Sequence, residues 1–197
     1  MLKRLFDVSI AASALLALLP LMIVIAVVVR LNSPGSPLFR QARVSRGGRL
    51  FEILKFRTMA VTDGSGAQIT VGNDPRITSV GAVLRRTKLD ELPQLINVLK
   101  GDMSLVGPRP EVPRYVAMYP PELRDIVLSV RPGITDIASL EFRRESELLG
   151  AATDPERVYV EEIMPRKLAL YARYVRERSF IGDLRIMLRT LRAIVTD

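Results

Sequence analysis

Apolar residues run almost unbroken from Val8 to Val29, interrupted only by Ser9, Ser13 and Pro20. As a helix this run reaches roughly 33 Å, enough to cross a hydrocarbon core. No small-residue cleavage site follows it, which argues against a signal peptide. Two features argue against a simple span. Pro20 sits near the middle, where it removes one backbone bond and collides with the carbonyl of Leu16. Lys3 and Arg4 precede the run, Arg30, Arg40, Arg43, Arg46 and Arg49 follow it, and no acid lies between Asp7 and Glu52. Basic residues resist translocation, so both ends prefer the cytoplasm. The pattern predicts a re-entrant helix–break–helix hairpin over residues 1–34, with Pro20 as the break. A kinked single-pass anchor is the alternative.

Ser33-Pro34-Gly35-Ser36-Pro37 marks a boundary, and residues 35–197 read as a separate catalytic domain. Leu38 to Met59 reads as a β-hairpin that turns at Ser45-Arg46-Gly47-Gly48-Arg49. Lys55 and Arg57 straddle Phe56, either as a cationic pair on one face or as two solvated charges. Ala60 to Asp74 reads as a loop, a candidate flap. A helix starts near Thr78. The next is expected to begin close to Asp90, because Pro93 is tolerated in a first turn; Leu92, Leu95, Ile96 and Leu99 give it a buried stripe. Pro113, Pro120 and Pro121 bound short helical pieces, and Arg131 to Thr135 is a turn. Helices follow over Glu141–Leu149 and Tyr159–Arg178. In the last element Ile181, Leu184, Leu188, Leu191 and Val195 oppose Arg185, Arg189 and Arg192. That stripe suits either a membrane interface or the domain core. The expected class is α+β, mostly helical with a small hairpin.

Composition narrows the chemistry. The 197 residues include no His and no Cys. Imidazole bases, thiol nucleophiles, disulfides and thiolate metal sites are therefore excluded. Any bound metal should be hard and oxygen-ligated, with Mg²⁺ the expected ion. The net charge of +8 suits nucleic acid, anionic lipid or phosphorylated substrates.

The vicinal acids Asp90 and Glu91 stand out within Lys88-Leu89-Asp90-Glu91-Leu92-Pro93-Gln94-Leu95, which leads into a Gly/Pro/Arg loop, Gly101 to Pro110. Adjacent helical residues diverge by about 100°, so the two carboxylates can serve one phosphate from two directions. One attacks while the other holds a metal. A carboxylate at a helix start is expected to stay ionised. Its approach to a diphosphate meets repulsion of about 4 kcal/mol per charge pair at 4 Å. A divalent metal and cations must offset that, and Lys55, Arg85 and Arg109 are the candidates. The plain alternatives are helix capping for the acids and a structural ion pair for Arg109.

These parts coincide with a known family. The chain resembles bacterial sugar transferases of the monotopic polyprenyl-phosphate phosphoglycosyl transferase family over nearly its whole length. The carriers are Lys3-Arg4-Leu5-Phe6-Asp7, Phe39-Arg40-Gln41 with Arg43, Lys55-Phe56-Arg57-Thr58-Met59, Asp74-Pro75-Arg76-Ile77-Thr78, Leu89 to Gln94, Gly101 to Pro110 and Arg131-Pro132-Gly133-Ile134-Thr135. The resemblance implies transfer of a sugar-1-phosphate from a nucleotide diphosphosugar, usually a UDP-sugar, to a polyprenyl phosphate. It implies a re-entrant N-terminal helix and interfacial helices among inner-membrane lipids, with the catalytic domain on the cytoplasmic face. Asp90 would be the nucleophile that expels UMP. Glu91 would bind Mg²⁺ or assist the lipid's attack, with both acids near the metal. Lys55, Arg85, Arg109 and Arg131 would bind phosphate. Nucleic acid is not an expected partner.

The chain departs from the family twice. Its membrane proline follows Leu19 where many members have Ser. After Thr135 it reads Asp136-Ile137-Ala138-Ser139 where many continue Gly-Trp-Ala-Gln, so the donor sugar does not carry over. Two rivals remain: a membrane-tethered binding protein, and a phosphatase that uses Asp90.

Overall fold

The computed structural model describes residues 2–60 and 74–196. Most of the Ala60–Asp74 loop therefore lies outside the described residues. In chain order the elements are α1 (Leu2–Asn32), β1 (Leu38–Val44), β2 (Leu50–Phe56), α2 (Ser79–Arg86), a 3-10 turn (Leu89–Glu91) and α3 (Gln94–Lys100). There follow β3 (Ser104–Val106), α4 (Pro113–Val116), α5 (Pro121–Val127), β4 (Gly133–Thr135), α6 (Ile137–Glu141) and α7 (Glu145–Gly150). The chain ends with α8 (Pro155–Val158), a π-helical turn (Tyr159–Ile163), α9 (Met164–Glu177) and α10 (Phe180–Val195). The expected mostly helical fold with a small hairpin is what forms.

α1 differs from the expected helix–break–helix. It is one helix of 31 residues with Pro20 inside it. Proline deletes a single helical bond, and the apolar turns on either side have no other way to satisfy their backbone groups in an apolar setting. Along its first half Ala11, with Phe6, Ala14 and Leu15, packs against Leu95, Val98, Met103 and Ile186. Along its second half Met22, Ile25 and Val29 pack against Phe56 and Leu84. The opposite side, including Leu16, Ile23, Val24 and Val27, is exposed.

Polar bonds fasten both ends of α1 to the same body. Near the start, Lys3 Nζ lies 2.6 Å from Asp183 Oδ2, Arg4 donates to the Val98 carbonyl at 2.8 Å, and Ser104 Oγ donates to the buried Asp7 carboxylate at 2.7 Å. At the far end the buried Arg57 donates to the Ser33 carbonyl at 2.6 Å and to Ser33 Oγ at 2.9 Å. This places a guanidinium on the carbonyl-rich terminus of a helix, where cations are favoured.

The β1–β2 hairpin is antiparallel, with Lys55 opposite Phe39. A second sheet, unexpected from the sequence, pairs β3 with β4 in parallel. Its strands are three residues each, too short to display alternation. Gly107 and Gly133 make it possible. A Cβ on Gly107 would stand 2.5 Å from the Arg131 carbonyl oxygen, and one on Gly133 would stand 2.1 Å from the Gly107 nitrogen. This contact joins the loop carrying Arg109 to the Arg131–Thr135 segment.

α3 is the hub between α1 and the hairpin. The buried Asn97 on it accepts from the Leu54 backbone N–H at 3.0 Å and donates to the Glu52 carbonyl at 2.8 Å. On α10, Ile181, Leu188 and Leu191 are exposed while Asp183 and Ile186 are buried. The predicted apolar stripe thus faces outward rather than into the core; the Val195 side chain lies outside the described residues.

Asn97→Ala would strand two strand groups of β2 without a partner. It is expected to lower unfolding free energy by roughly 2–4 kcal/mol in a denaturant titration of the detergent-solubilised protein. A change near zero would show that α3 and β2 are held together by apolar packing alone.

Candidate active site

Three chain-distant segments meet at Glu91. Its Oε1 accepts from Lys55 Nζ on β2 at 2.8 Å and from Arg109 Nη2, in the loop after β3, at 2.6 Å. Burial alone would push the Glu91 carboxyl up. Arg109 and Lys55 overcome that and hold it well below the usual carboxylate range. Arg109 is correspondingly stabilised as a cation by Glu91. Burial pulls the Lys55 ammonium down, opposed mainly by Glu91.

The local backbone explains how the acids face this point. Lys88 has φ +58°, the one non-glycine residue in the left-handed region among the described residues. That position at a helix end usually takes Gly. With a side chain present it costs on the order of 1 kcal/mol. It turns the chain sharply from α2 into the Leu89–Glu91 turn. The expected helix start at Asp90 is therefore corrected: α3 begins at Gln94, with Pro93 before it, and Asp90 caps nothing.

Asp90 is 8% exposed, and its Oδ1 is sealed from solvent without a hydrogen-bond partner. Burial raises its carboxyl above the ordinary range. Lys55 opposes that shift, Glu91 reinforces it, and Lys88 and Arg85 oppose it more weakly. The sequence reading expected a carboxylate kept ionised by a helix terminus. The turn geometry removes that support, and desolvation dominates.

The other expected phosphate binders divide. Arg85, half-buried at the end of α2, acts electrostatically on Asp90 and forms no ion pair among the described residues. Arg131 stands elsewhere. Its Nε donates to the Gly101 carbonyl at 2.8 Å, and Arg46, Arg4 and Arg49 are its cationic neighbours. Sequence reading also missed the carboxylate behind Arg109. Glu111 accepts from Arg43 at 3.0 Å and from the Tyr159 hydroxyl at 2.6 Å, bracing the backbone just after Pro110. Its signal was its place beside the Arg109 loop, with Arg43 already in a motif.

Among the described residues no group of three or more acidic side chains gathers as a metal cage. Mg²⁺ does not need one, since it commonly takes one or two carboxylates together with substrate phosphates and water. Asp90 and Glu91 fit that use. Both cations of the Glu91 cluster sit on Oε1, leaving Oε2, and on Asp90 the oxygen open to a ligand is Oδ2, since Oδ1 is sealed from solvent.

The sequence profile described as bacterial sugar transferase matches residues 1–197. The chain belongs to the bacterial sugar transferase family. It is 40% identical over 206 residues to the UDP-glucose:undecaprenyl-phosphate glucose-1-phosphate transferase of Caulobacter vibrioides, covering 98% of this chain and 70% of that protein. A UDP-N-acetylgalactosamine-undecaprenyl-phosphate N-acetylgalactosaminephosphotransferase of Aeromonas hydrophila is 39% identical over 98% of this chain. A UDP-glucose:undecaprenyl-phosphate glucose-1-phosphate transferase of Escherichia coli K12 is 38% identical over 97% of it. The chain spans only 44% and 39% of those last two proteins. As a sugar transferase, it presents the buried acids, Lys55 and Arg109 as its candidate catalytic group.

The raised Asp90 carboxyl gives a stability prediction. In the unfolded chain this group ionises near the ordinary value of about 4; in the folded protein it ionises at higher pH. Below the ordinary value both states are protonated and nothing is lost. Stability falls as pH climbs from there through the raised value. In metal-free buffer, Asp90→Asn is therefore expected to melt higher than the parent at neutral pH, with the gap closing as pH drops toward 4. A lower melting temperature for Asp90→Asn at neutral pH would contradict a burial penalty on Asp90.

Proposed function

We propose that this sugar transferase moves a sugar-1-phosphate from a UDP-sugar to a polyprenyl phosphate such as undecaprenyl phosphate, through a covalent intermediate on Asp90. The reaction would be the first membrane step of polysaccharide or glycoconjugate assembly. The observation that carries this reading is the buried, unpartnered Asp90 carboxylate beside a Glu91 that gathers Lys55 and Arg109. A binding protein has no use for that arrangement. The named substrates of the relatives support the same reading.

Lys55, Arg109 and the unpaired Arg85 would hold the diphosphate oxygens. An Asp90 carboxylate oxygen attacks the phosphorus that bears the sugar. The bond from that phosphorus to the bridging oxygen breaks, and UMP leaves with the electron pair. In the second half, a phosphate oxygen of the lipid attacks the same phosphorus and the Asp90 carboxylate is released. Glu91 keeps the two cations in place throughout. Mg²⁺ held by Asp90 and Glu91 would add positive charge that offsets the repulsion between carboxylate and diphosphate.

The membrane reading is that α1 enters the cytoplasmic leaflet of the bacterial inner membrane and returns by bending at Pro20 without a break in the helix, so that the protein is monotopic. Its support is the attachment of both helix ends to one domain, through Asp183 at the start and Arg57 at the end. A helix of this length spans about 46 Å if straight. A domain holding both ends of a membrane-crossing helix would itself have to lie in the bilayer. The outward apolar residues of α10 suit the interface beside it.

Donor-treated enzyme without acceptor is expected to release UMP and to carry a phospho-sugar on Asp90, detected by mass spectrometry. Asp90→Asn should abolish both, and chelator should stop release until Mg²⁺ is restored. Product formed without any adduct would overturn the covalent reading. Sugar phosphate released to water would instead mark a phosphatase.

Topology is testable because the chain lacks native Cys. Leu2→Cys and Ser36→Cys are both expected to react with a membrane-impermeant maleimide from the cytoplasmic side only. Labelling from opposite sides would establish a spanning helix.

A further inference from the structure

α3 carries two buried amides, and the fold treats them differently. Asn97, 1% exposed, is bonded through both its oxygen and its nitrogen to β2. Gln94, also 1% exposed, has an amide nitrogen sealed from solvent with no partner. A buried amide of purely structural use is normally satisfied, as Asn97 is, because an unmet donor costs about 1–3 kcal/mol.

Gln94 is not alone in this state. Among the described residues, the side-chain atoms buried without a partner are Gln94 Nε2, Asp90 Oδ1 and Arg57 Nε. The first two are a donor and an acceptor four residues apart. Leu92 and Pro93 between them have right-handed helical dihedrals, and residues four apart along a helix share a face. Asp90 Oδ2 does not share the sealed state of Oδ1. The carboxylate therefore has an inner oxygen toward the protein and an outer one toward the open side.

We propose that Gln94 is a positioning residue for the nucleophile: its amide N–H takes up Asp90 Oδ1 as the reaction proceeds, so that Oδ2 is the oxygen presented to phosphorus. This rests on the covalent reading given above. Gln94 is too buried to reach the substrate and acts through Asp90. Once Oδ2 bonds to phosphorus, Oδ1 becomes the carbonyl oxygen of the mixed anhydride and accepts the Gln94 N–H. No proton moves. When the lipid phosphate displaces Asp90, the same bond holds the departing carboxylate in register for the next cycle. The two unmet groups of the resting state are thus satisfied where the chemistry occurs, which favours reaction over resting enzyme.

The test is Gln94→Met, which keeps the side chain's length and removes its polar atoms. UMP release by the full-length enzyme without acceptor is expected to slow between about 10- and 100-fold, with donor KM unchanged. The melting temperature should hold or rise, because a buried unmet donor has gone. A fall in melting temperature that tracks the lost activity would make Gln94 structural and overturn the proposal. So would UMP release at the parent rate. The parent enzyme run alongside separates the two levels. Failure of the parent to form an adduct removes the covalent reading beneath the proposal, while an adduct formed equally fast by Gln94→Met removes only the role of Gln94.

Discussion

The bond on which the site depends is the sharing of one Glu91 oxygen by Lys55 and Arg109. It joins a hairpin strand, a 3-10 turn and a loop held by a two-glycine contact, none adjacent in the chain. Bringing three charged groups out of water is expensive, and such clusters survive only when each charge has its partner. Here two cations share one carboxylate oxygen, with Asp90 acting on Lys55 and Asp136 on Arg109 as further opposite charges. The arrangement places two fixed cations where an anion arriving from outside would meet them.

Asp90 is the counterpart. It lies near Lys55 yet is so desolvated that its carboxyl is pushed up, not down. Burial outweighs the help of Lys55, Lys88 and Arg85 because no hydrogen bond reaches its inner oxygen. The fold thus holds the nucleophile of the proposed reaction at a cost to its own stability, beside a backbone residue in a left-handed conformation. Local rules of propensity and polar satisfaction fail together over Lys88–Gln94 and hold a few residues later at Asn97. Concentration of such failures in one turn is what a functional site leaves in a structure.

Much of this was legible in the amino-acid sequence. The hairpin, the helical bulk, the acid pair and the cations Lys55 and Arg109 follow from alternation, turn residues and motif spacing. The misses have physical causes. The β3–β4 pair is too short for a pattern and rests on backbone approach at Gly107 and Gly133, which no side-chain periodicity reports. The start of α3 slipped from Asp90 to Gln94 because the first turn is 3-10 and a lysine, not a glycine, takes the left-handed position before it. Arg131 belongs to a motif, but its side chain turns to the end of α3, a direction set by tertiary packing. Pro20 suggested a break because proline forbids one bond; the helix continues through it because the remaining bonds of the apolar turns are worth more.

In the proposed membrane setting, α1 ties the lipid to the candidate site through both its ends. The exit of α1 is held by Arg57, two residues along from Lys55. The start of α1 is held at Val98 and Ser104, on α3 and β3, the elements that follow Asp90 and precede Arg109. A shift of α1 in the lipid would therefore reach both cations of the Glu91 cluster through a single strand or loop. In the proposed membrane setting the helix is more than an anchor: by bonding both its ends to the segments that carry the site, it would fix how the buried acids stand relative to the bilayer surface. If the acceptor is a lipid phosphate, as proposed above, that height is part of the active-site geometry.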